Sequence, residues 1–383
     1  MNPMKVNLST LSPDNFMVHQ HFVGEHEVYL VQPVHIGATW TKENLIFRSS
    51  VWDKDGNPVS LSFKKFFNWD EKPEIFPAPE SLANAQLMEK VDGSTLIFSR
   101  YKGHTVIRTR GTVDARAQEN GYEIDFLCEK YAPFIRMLEL ADTLEYSYVF
   151  EWTSPTNRIV LNYGDEPDMV LTAVISHEDY SYISQSRLDM FAVNNSLRRP
   201  RTYSYDSVAD MKASVEALRD QEGLCVYYGE EQHIRKVKSA HYLYLHRAKS
   251  EISSIEKVID LYISEFMANG AYMPYEAFMA YLEKTFDYEI ATMARGHVSR
   301  ICDGMKEVRE IMTALIKFAQ DCQTMKVGSS TVTLNPKQAR KSAAEKVLQA
   351  YGSTGRSSII FKLLDGKPIV ADDYKKILYQ VLK

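Results

Sequence analysis

The segment QLMEKVDGSTLIFSRYKGHTVIRTRG (residues 86–111) contains the pattern that decides the fold. An apolar run precedes Asp92-Gly93, and apolar and polar residues alternate on both sides of Lys102-Gly103, which predicts strands joined by tight turns. Lys90 ends the first strand, directly before the Asp-Gly turn. Such a turn can hold the lysine amine out of the sheet, and glycine lets the backbone come close to a ligand. An ordinary surface hairpin has the same local pattern, because Asp-Gly favours turns by itself.

The length, the amino-acid composition and the net charge are those of an ordinary soluble protein. The 383 residues are too many for a single core of usual size and predict two domains. Hydrophobic residues make up 45% and charged residues 25%, which excludes a disordered or fibrous chain. The net charge of -5 excludes a protein coated in positive charge, but it allows a local basic groove for nucleic acid.

The spacing of the cysteines and the N-terminal sequence indicate the cellular compartment. Cys128, Cys225, Cys302 and Cys322 are far apart and show no CxxC spacing, so they indicate neither a zinc site nor a disulfide framework. The N-terminus lacks the apolar run of a signal peptide, and no stretch approaches the roughly 20 apolar residues of a membrane span. We therefore expect a cytoplasmic protein without a membrane partner.

The periodicity of apolar residues changes along the chain. Up to about residue 246 it favours short strands, including 146–152, 169–176 and a pair at 224–228 and 233–238, with interspersed helices at 123–131 and 207–221. From about Ser250 it is helical, and the first helix is predicted to end near Asn269-Gly270. The sequence therefore predicts an α+β protein, with an antiparallel-sheet domain at 1–248 and an all-helical domain at 249–383.

Four further segments follow Lys90 in a fixed order, each on or beside a predicted strand: TRGT (109–112), FEW (150–152), EG (222–223) and KVK (236–238). The set resembles the ordered motifs of the covalent nucleotidyltransferase superfamily of ligases and capping enzymes. Within that superfamily the chain is most similar to the phage-type family 1 RNA ligases, which repair tRNA. The segments that carry this resemblance are FKKFFNWDE (63–71), FEWTSPTNRIVLNY (150–163), EGLCVYY (222–228) and KVKSAHYLYLH (236–246).

The resemblance implies a nucleotidyltransferase fold related to ATP-grasp-like ligases, followed by a helical RNA-specificity domain. It also implies that Lys90 attacks the α-phosphate of ATP and carries AMP to RNA with 5′-phosphate and 3′-hydroxyl ends, with tRNA as the expected substrate. Mg²⁺, or alternatively Mn²⁺, would assist the transfers, in the host cytoplasm if the gene is a phage gene. The sequence contains no signal for an oligomeric state.

Cationic residues are expected around the triphosphate. The resemblance implies that Arg48 and Lys65 lie against it and that Phe67 supports the nucleotide pocket. The alternatives are a surface arginine, a strand-edge lysine and a core phenylalanine. Lys236 and Lys238 alternate on a strand, so both can face the same phosphates. Because a nucleophilic lysine needs a lowered pKa, we expect these two charges to lower the pKa of Lys90. The alternative for both is a solvated strand face.

Two acidic residues are candidates for the metal. Glu151 stands between Phe150 and Trp152 in a predicted buried strand, where an unpaired carboxylate is costly, so it needs a partner. A ribose hydroxyl, hydrated Mg²⁺ or Lys90 fits this need, and Glu222 is expected to bind the same metal or to take the proton of Lys90. A structural salt bridge is the alternative for each. Arg110 replaces the lysine common in the family, and is expected to bind phosphate with two-pronged geometry.

Other kinds of protein are alternatives to an RNA ligase. A DNA ligase or a capping guanylyltransferase shares the lysine chemistry, but such enzymes usually append a small β-barrel where this chain turns helical after His246. A catalytically silent nucleic-acid-binding protein is a further alternative.

Glu265 is a positional candidate for a metal ligand in the second domain. Two basic clusters are candidates for RNA contact or for solvated surface: Arg198, Arg199 and Arg201 with Tyr203 and Tyr205, and Lys337, Arg340, Lys341 and Lys346.

Overall fold

The protein is described here by a computed structural model, which covers residues 4–34, 37–156, 158–270, 272–286, 288–327 and 330–383. The chain divides into two compact units, Met1–Tyr244 and Leu245–Lys383. The first is a mixed α and β unit and the second is mostly helical, which confirms the predicted α+β class. No helix in the described ranges is long and apolar enough to cross a membrane.

The N-terminal unit contains the strands of three sheets. The strands are β1 (Phe16–Val23), β2 (His26–Pro33), β3 (Ser50–Asp53), β4 (Pro58–Ser60), β5 (Phe67–Asn68), β6 (Gln86–Glu89), β7 (Ser94–Tyr101), β8 (His104–Thr109), β9 (Tyr146–Thr153), β10 (Asp168–Ser176), β11 (Thr202–Tyr203), β12 (Gly223–Tyr228) and β13 (His233–Lys238). The sheet orders are β1-β2-β3-β4, β10-β9-β7-β8 and β11-β6-β12-β13-β5. Neighbouring strands run antiparallel except for the short parallel pair β13 and β5.

The helices of this unit are short. They are α1 (Glu123–Lys130), α2 (Ala132–Leu138), α3 (Gln185–Asn194) and α4 (Val208–Ala217), with 3-10 turns at Leu8–Thr10, Leu45–Arg48 and Ala115–Ala117. Helix α5 (Ala240–Ile252) contains the boundary between the two units.

The hairpin predicted around Lys102-Gly103 is confirmed. Strands β7 and β8 pair from Tyr101 with His104 through Leu96 with Thr109. Lys102 and Gly103 have φ values of 47° and 78°, the left-handed conformation that a two-residue hairpin turn requires at both positions. Strand β7 also pairs with β9, which places Thr95 opposite Glu151.

Alternation along β9 separates the core from the cleft. Tyr148, Phe150 and Trp152 pack against the side chains of α1, α2 and α3 in one apolar cluster. Val149, on the opposite face, packs with residues of β2 and β3 in another cluster. Because successive side chains of a strand point to opposite faces, Glu151 lies on the same face as Val149 and not with the aromatic residues.

Strand β12 shows the same alternation. Leu224 and Val226 pack against Met211 and Val215 of α4. Cys225 and Tyr227 lie on the opposite face, which lines the cleft described below. The faces turned away from these apolar clusters therefore carry the polar and charged side chains of the cleft.

The C-terminal unit is built mainly of helices. Its elements are α6 (Ile255–Asn269), α7 (Tyr275–Thr285), α8 (Tyr288–Met293), α9 (Arg295–Cys322), β14 (Thr324–Val327), β15 (Ser330–Thr333), α10 (Pro336–Tyr351), α11 (Gly355–Leu364) and α12 (Ala371–Val381). The predicted apolar faces of α6 and α9 meet in its core, and Gly270 ends α6 with a φ of 63°. The helical character is confirmed, but "all-helical" was wrong in one place, because β14 and β15 pair as a two-stranded antiparallel sheet.

Candidate active site

A cavity of about 480 Å³ opens in the N-terminal unit between the sheet that contains β7 and β9 and the sheet that contains β6, β12 and β13. Lys90 and the Asp92-Gly93 turn form part of its wall, since they follow β6 and precede β7. The charged residues that line the cavity are Arg48, Glu89, Lys90, Asp92, Arg110, Glu151, Glu222, Lys236 and Lys238. The structure thus brings together most of the residues predicted from the sequence, from two strands, three loops and one 3-10 turn.

Glu222 is the centre of a charged triad. Its Oε2 lies 2.8 Å from Nζ of Lys90, and its Oε1 lies 2.8 Å from Nζ of Lys238. The side chain of Glu222 is only 3% exposed. The pairing of strands creates this arrangement: Gly223 of β12 lies opposite Lys238 of β13, and the backbone N–H of Lys90 donates to the carbonyl of Gly223.

The triad changes one expectation about Lys90. Burial lowers the pKa of its amine, but the charge of Glu222, aided by Cys225 and Glu151, outweighs burial and raises the pKa above its ordinary value. The prediction that Lys236 and Lys238 lower the pKa of Lys90 was therefore wrong for the protein without nucleotide, because Glu222 lies between Lys90 and Lys238. A buried carboxylate in contact with the amine is instead placed to receive its proton.

Among the lysines that line this cavity, Lys236 has a lowered pKa. Burial, followed by the positive charges of Arg48, Lys65, Lys238 and Lys90, lowers its pKa to about 8. Burial and the nearby Arg110 also lower the pKa of Arg48, to about 10. Cations placed this close together repel one another unless an anion lies among them. The cationic wall of the cavity therefore fits a polyphosphate.

Phe66 contacts two of these cations. The guanidinium carbon of Arg48 lies 4.9 Å from the centre of the Phe66 ring, and Nζ of Lys236 lies 5.6 Å from it. Both distances are within the range of cation–π attraction. The ring therefore helps to hold two positive groups at the cleft.

Phe66 is one of the aromatic residues that line the cleft, whereas the predicted Phe67 does not line it. Phe67 is buried with Leu45 and Ile75, because adjacent residues in an extended segment point to opposite sides. Lys65 and Phe67 line a second cavity of about 350 Å³ and not the first one, although Phe66 lines both. Lys65 still belongs to the same cationic region, since burial and the charge of Arg48 lower its pKa.

Glu151 faces the cleft from β9. Burial raises the pKa of its carboxyl to about 7, against the opposing effect of Lys90 and with the support of Glu222 and Asp92. No described residue forms an ion pair with it. Glu151 also lines the cavity, so its carboxylate is available to a ligand bound there.

Comparison with known proteins shows the family to which this chain belongs. The family model described as RNA ligase matches residues 47–254, more than half of the 383-residue chain. The chain belongs to this RNA ligase family. The match contains Lys90, Glu151, Glu222, Lys236 and Lys238, and it confirms the resemblance to phage-type RNA ligases of the nucleotidyltransferase superfamily.

One relative and two solved structures are similar to parts of this chain. The "Putative bifunctional polynucleotide kinase/RNA ligase" of Autographa californica nuclear polyhedrosis virus is 27% identical over 232 residues, 54% of this chain and 31% of the relative. The chain thus spans about a third of that relative's length. A Naegleria gruberi RNA ligase mutant with ATP and Mn has a TM-score of 0.41 at 12% identity, over 60% of this ligase and 77% of that chain. A "Putative ATP-dependent DNA ligase from Aquifex aeolicus" has a TM-score of 0.47 at 14% identity, over 92% and 96% of the two chains.

Asp92 organises the turn of the ligase that follows Lys90. Its Oδ2 accepts hydrogen bonds from the backbone N–H groups of Val160 and Leu161 at 2.8 and 2.9 Å. Its Oδ1 accepts from the hydroxyl of Tyr242 at 2.7 Å, and its own N–H donates to the Tyr163 hydroxyl. Sequence reasoning assigned Asp92 only to a turn, because its partners are 68 or more positions away.

Gly93 is required for a different reason. A Cβ atom at this position would lie 2.4 Å from the carbonyl oxygen of Trp152 and 3.1 Å from Cγ of Glu151. The turn therefore packs directly against the backbone of β9. This contact holds the segment that carries Lys90 beside Glu151.

Replacement of Asp92 by alanine is expected to loosen this region. Two buried N–H groups would lose their acceptor, which costs about 2 kcal/mol or more in the free energy of unfolding. We expect a lower unfolding midpoint and faster amide exchange at Val160 and Leu161, measured by hydrogen exchange. Asp55→Ala, at an exposed turn, is the control. Equal exchange in the two variants would show that Asp92 does not hold the loop.

Several arginines of the two basic clusters predicted to contact RNA form ion pairs within the protein. Arg198 pairs with Asp168, and Arg199 pairs with Asp189 at 2.8 Å while its side chain is only 10% exposed. Arg199 therefore has a structural role, whereas the side chain of Arg198 is still 53% exposed beside Asp168. Arg340 pairs with Asp365, but Lys337, Lys341 and Lys346 are exposed on α10. Glu265 accepts a hydrogen bond from Asn269 of its own helix.

Proposed function

We propose that the chain is an ATP-dependent RNA ligase that joins a 5′-phosphate to a 3′-hydroxyl by carrying AMP on Lys90. The observation that carries this proposal is the contact of 2.8 Å between the Lys90 amine and the buried Glu222 carboxylate, inside a cleft with a cationic wall. A nucleophile, a proton acceptor and phosphate-binding cations are the groups that nucleotidyl transfer needs. The family match supports the ligase class.

In the first step Lys90 transfers a proton to Glu222, and its nitrogen attacks the α-phosphorus of ATP. The N–P bond forms as the bond to pyrophosphate breaks. Arg48, Lys236 and Arg110 line the same cavity and neutralise the charge that develops on the leaving pyrophosphate. Loss of the proton from Lys90 to Glu222 weakens their ion pair, which frees Lys90 to reach the nucleotide.

The second and third steps use the same cleft. An oxygen of the RNA 5′-phosphate attacks the AMP phosphorus, the N–P bond breaks, and Lys90 recovers its proton. The 3′-hydroxyl then attacks the RNA phosphorus, so that AMP leaves and the phosphodiester forms. Lys238 remains close to Glu222 throughout and keeps that carboxylate in position.

Glu151 fits a divalent metal, and Glu222 is a second ligand only where it is not the acceptor of the Lys90 proton. Both carboxylates line the cavity, and the charge of Glu222 raises the pKa of Glu151, as expected for two nearby acids. Mg²⁺ typically binds one or two carboxylates together with substrate phosphates, and oxygen ligands also suit Mn²⁺. When bound, such an ion stabilises negative charge on the phosphates during transfer.

The pKa of Glu151 predicts a pH dependence. The carboxyl is protonated below its pKa of about 7 and ionised above it. If the ionised form binds the metal or ribose, the adenylation rate rises from about pH 6 to about pH 8. Glu151→Gln is expected to be slower and to lack this step, as measured by single-turnover adenylation. A variant with an unchanged profile would exclude Glu151 as the titrating group.

The choice of nucleotide tests the class of reaction. The protein is incubated with Mg²⁺ and either α-labelled ATP or α-labelled GTP, and the labelled protein is then offered RNA or nicked DNA. We expect label from ATP alone and transfer to RNA with a 5′-phosphate. Labelling by GTP would favour a capping guanylyltransferase, and sealing of nicked DNA in preference to RNA would favour a DNA ligase. Absence of label from either nucleotide would favour a silent nucleic-acid-binding protein.

We assign RNA selection, with tRNA as the expected substrate, to the C-terminal unit. The supporting observation is the exposed pair Lys337 and Lys341 on α10, whose spacing of four residues places them on one side of the helix, with Lys346 exposed on another side of α10. Such a pair is suited to phosphates of a structured RNA, which proteins recognise largely by shape and backbone. Removing the unit at residue 250 would cut α5, so charge reversal is the better test.

Reversal of the α10 lysines to glutamate is expected to weaken sealing of broken tRNA and leave self-adenylation unchanged. If each lysine contacts one phosphate, the slope of log affinity against log salt falls by about 2 to 3. The matched control reverses three exposed lysines of the N-terminal unit, Lys54, Lys72 and Lys102. Equal loss in the two triple variants would show a general charge effect instead of a binding surface.

A further inference from the structure

Three metal-binding side chains meet away from the cleft, at the tips of two hairpins. Glu25 lies in the turn between β1 and β2, His26 begins β2, and His104 begins β8 after the turn from β7. Oε1 of Glu25 lies 3.4 Å from Nε2 of His26, and Oε2 of Glu25 lies 3.6 Å from Nε2 of His104. One ligand atom from each of the three residues lies within 4.8 Å of the others.

The fold builds this meeting point with a specific glycine. Gly24 has a φ of 59°, which suits the tight turn between Val23 and His26. A Cβ atom at Gly24 would lie 2.3 Å from Nε2 of His104, so the imidazole occupies the space that glycine leaves open. The second hairpin turn, at Lys102-Gly103, places His104 opposite Tyr101 and directs it to the first turn.

We propose that Glu25, His26 and His104 form a Zn²⁺ site. Two imidazole nitrogens and one carboxylate are a ligand set that zinc commonly uses, with a water molecule in the fourth position. Tetrahedral Zn²⁺ with bonds of about 2.0 to 2.1 Å holds neighbouring ligand atoms about 3.3 to 3.4 Å apart. Each oxygen of Glu25 is near this spacing from one imidazole, with Oε1 at 3.4 Å from Nε2 of His26 and Oε2 at 3.6 Å from Nε2 of His104. Zinc binding requires the three side chains to close from their separation of within 4.8 Å to the tetrahedral spacing.

The proposed site is separate from the nucleotide cleft. Strand β7 begins at Ser94 beside the cleft and ends at Tyr101 beside the cluster, so its eight residues span about 25 Å. An ion at the cluster is therefore too far away to contact the substrate phosphates. Its effect is to tie the hairpin of β1 and β2, in one sheet, to the hairpin of β7 and β8, in another.

The test is a zinc titration of protein without an affinity tag, in excess Mg²⁺ so that the carboxylates of the cleft are occupied. We expect one equivalent of bound Zn²⁺ in calorimetry and visible absorption bands of tetrahedral Co²⁺ when cobalt replaces zinc. His26→Ala and His104→Ala are expected to weaken zinc binding by at least about tenfold. His19→Ala is the matched control, because His19 is exposed on β1 outside the cluster.

Thermal unfolding gives a second readout. Zinc is expected to raise the unfolding midpoint of the wild-type protein and of His19→Ala, but not that of His104→Ala. Circular dichroism without metal checks that the variants are folded. The proposal is overturned if the wild type binds no zinc, binds it only weakly at many sites, or binds it equally well after both ligand replacements. Since the ligands lie outside the cleft, these outcomes do not depend on the proposed ligase reaction.

Discussion

Lys90→Ala is expected to reduce covalent labelling by ATP to background. The amine of Lys90 is the nucleophile that the Asp92-Gly93 turn presents inside the cleft, in contact with a proton acceptor. Lys90→Arg is expected to fail equally, because a guanidinium stays protonated and is a poor nucleophile. The measurement is labelled AMP on the protein after denaturing electrophoresis.

The control for this prediction is Lys102→Ala, which removes an exposed lysine from a hairpin of the same unit. It should label like the wild type. A second assay supplies RNA that already carries a 5′-adenylate, which bypasses the step that needs Lys90 as a nucleophile. We expect Lys90→Ala to retain part of this sealing activity. Full labelling of Lys90→Ala by ATP would refute the assignment of the nucleophile.

Glu222→Gln is expected to slow adenylation by about 10²-fold to 10⁴-fold, the usual contribution of a general base. The amide cannot accept the proton of Lys90, and it leaves Lys90 and Lys238 without their shared negative partner. The measurement is the single-turnover rate of adenylation. Glu230→Gln is the control, because Glu230 is exposed in the turn between β12 and β13 of the same hairpin.

The pH dependence separates a chemical role of Glu222 from a structural one. Glu222 raises the pKa of Lys90, so its replacement lowers that pKa and increases the fraction of free amine at a given pH. The titration of the Lys90 amine in Glu222→Gln should therefore have a lower midpoint than in the wild type, separate from the Glu151 step near pH 7. If the variant adenylates at the wild-type rate, the ion pair serves only stability.

Much of the cleft could be predicted because it depends on short-range patterns. Two-residue alternation placed Lys236 and Lys238 on one face of β13, and Glu151 fell on the cleft face of β9 for the same reason. The Lys102-Gly103 turn was likewise evident from its local sequence. These features need only neighbouring residues to specify them.

The rest depended on contacts between distant residues. Lys90 and Glu222 are 132 positions apart, and their hydrogen bond reversed the expected direction of the Lys90 pKa shift. Phe66 and Phe67 are adjacent and chemically identical, so only the packing of Phe67 decides which ring faces the cleft. Helix α5 was missed because its first residues alternate like a strand, although Ser239 caps it through its hydroxyl, which accepts from the N–H of Tyr242.

The most direct test of the account is to locate AMP on the protein. Wild-type protein is incubated with ATP and Mg²⁺, digested under conditions that preserve the phosphoramidate bond, and analysed by tandem mass spectrometry. The account predicts one AMP on the peptide that contains Lys90, removed when pyrophosphate or RNA with a 5′-phosphate is added. AMP on another residue, or an unmodified Lys90 in protein that seals RNA, would contradict it.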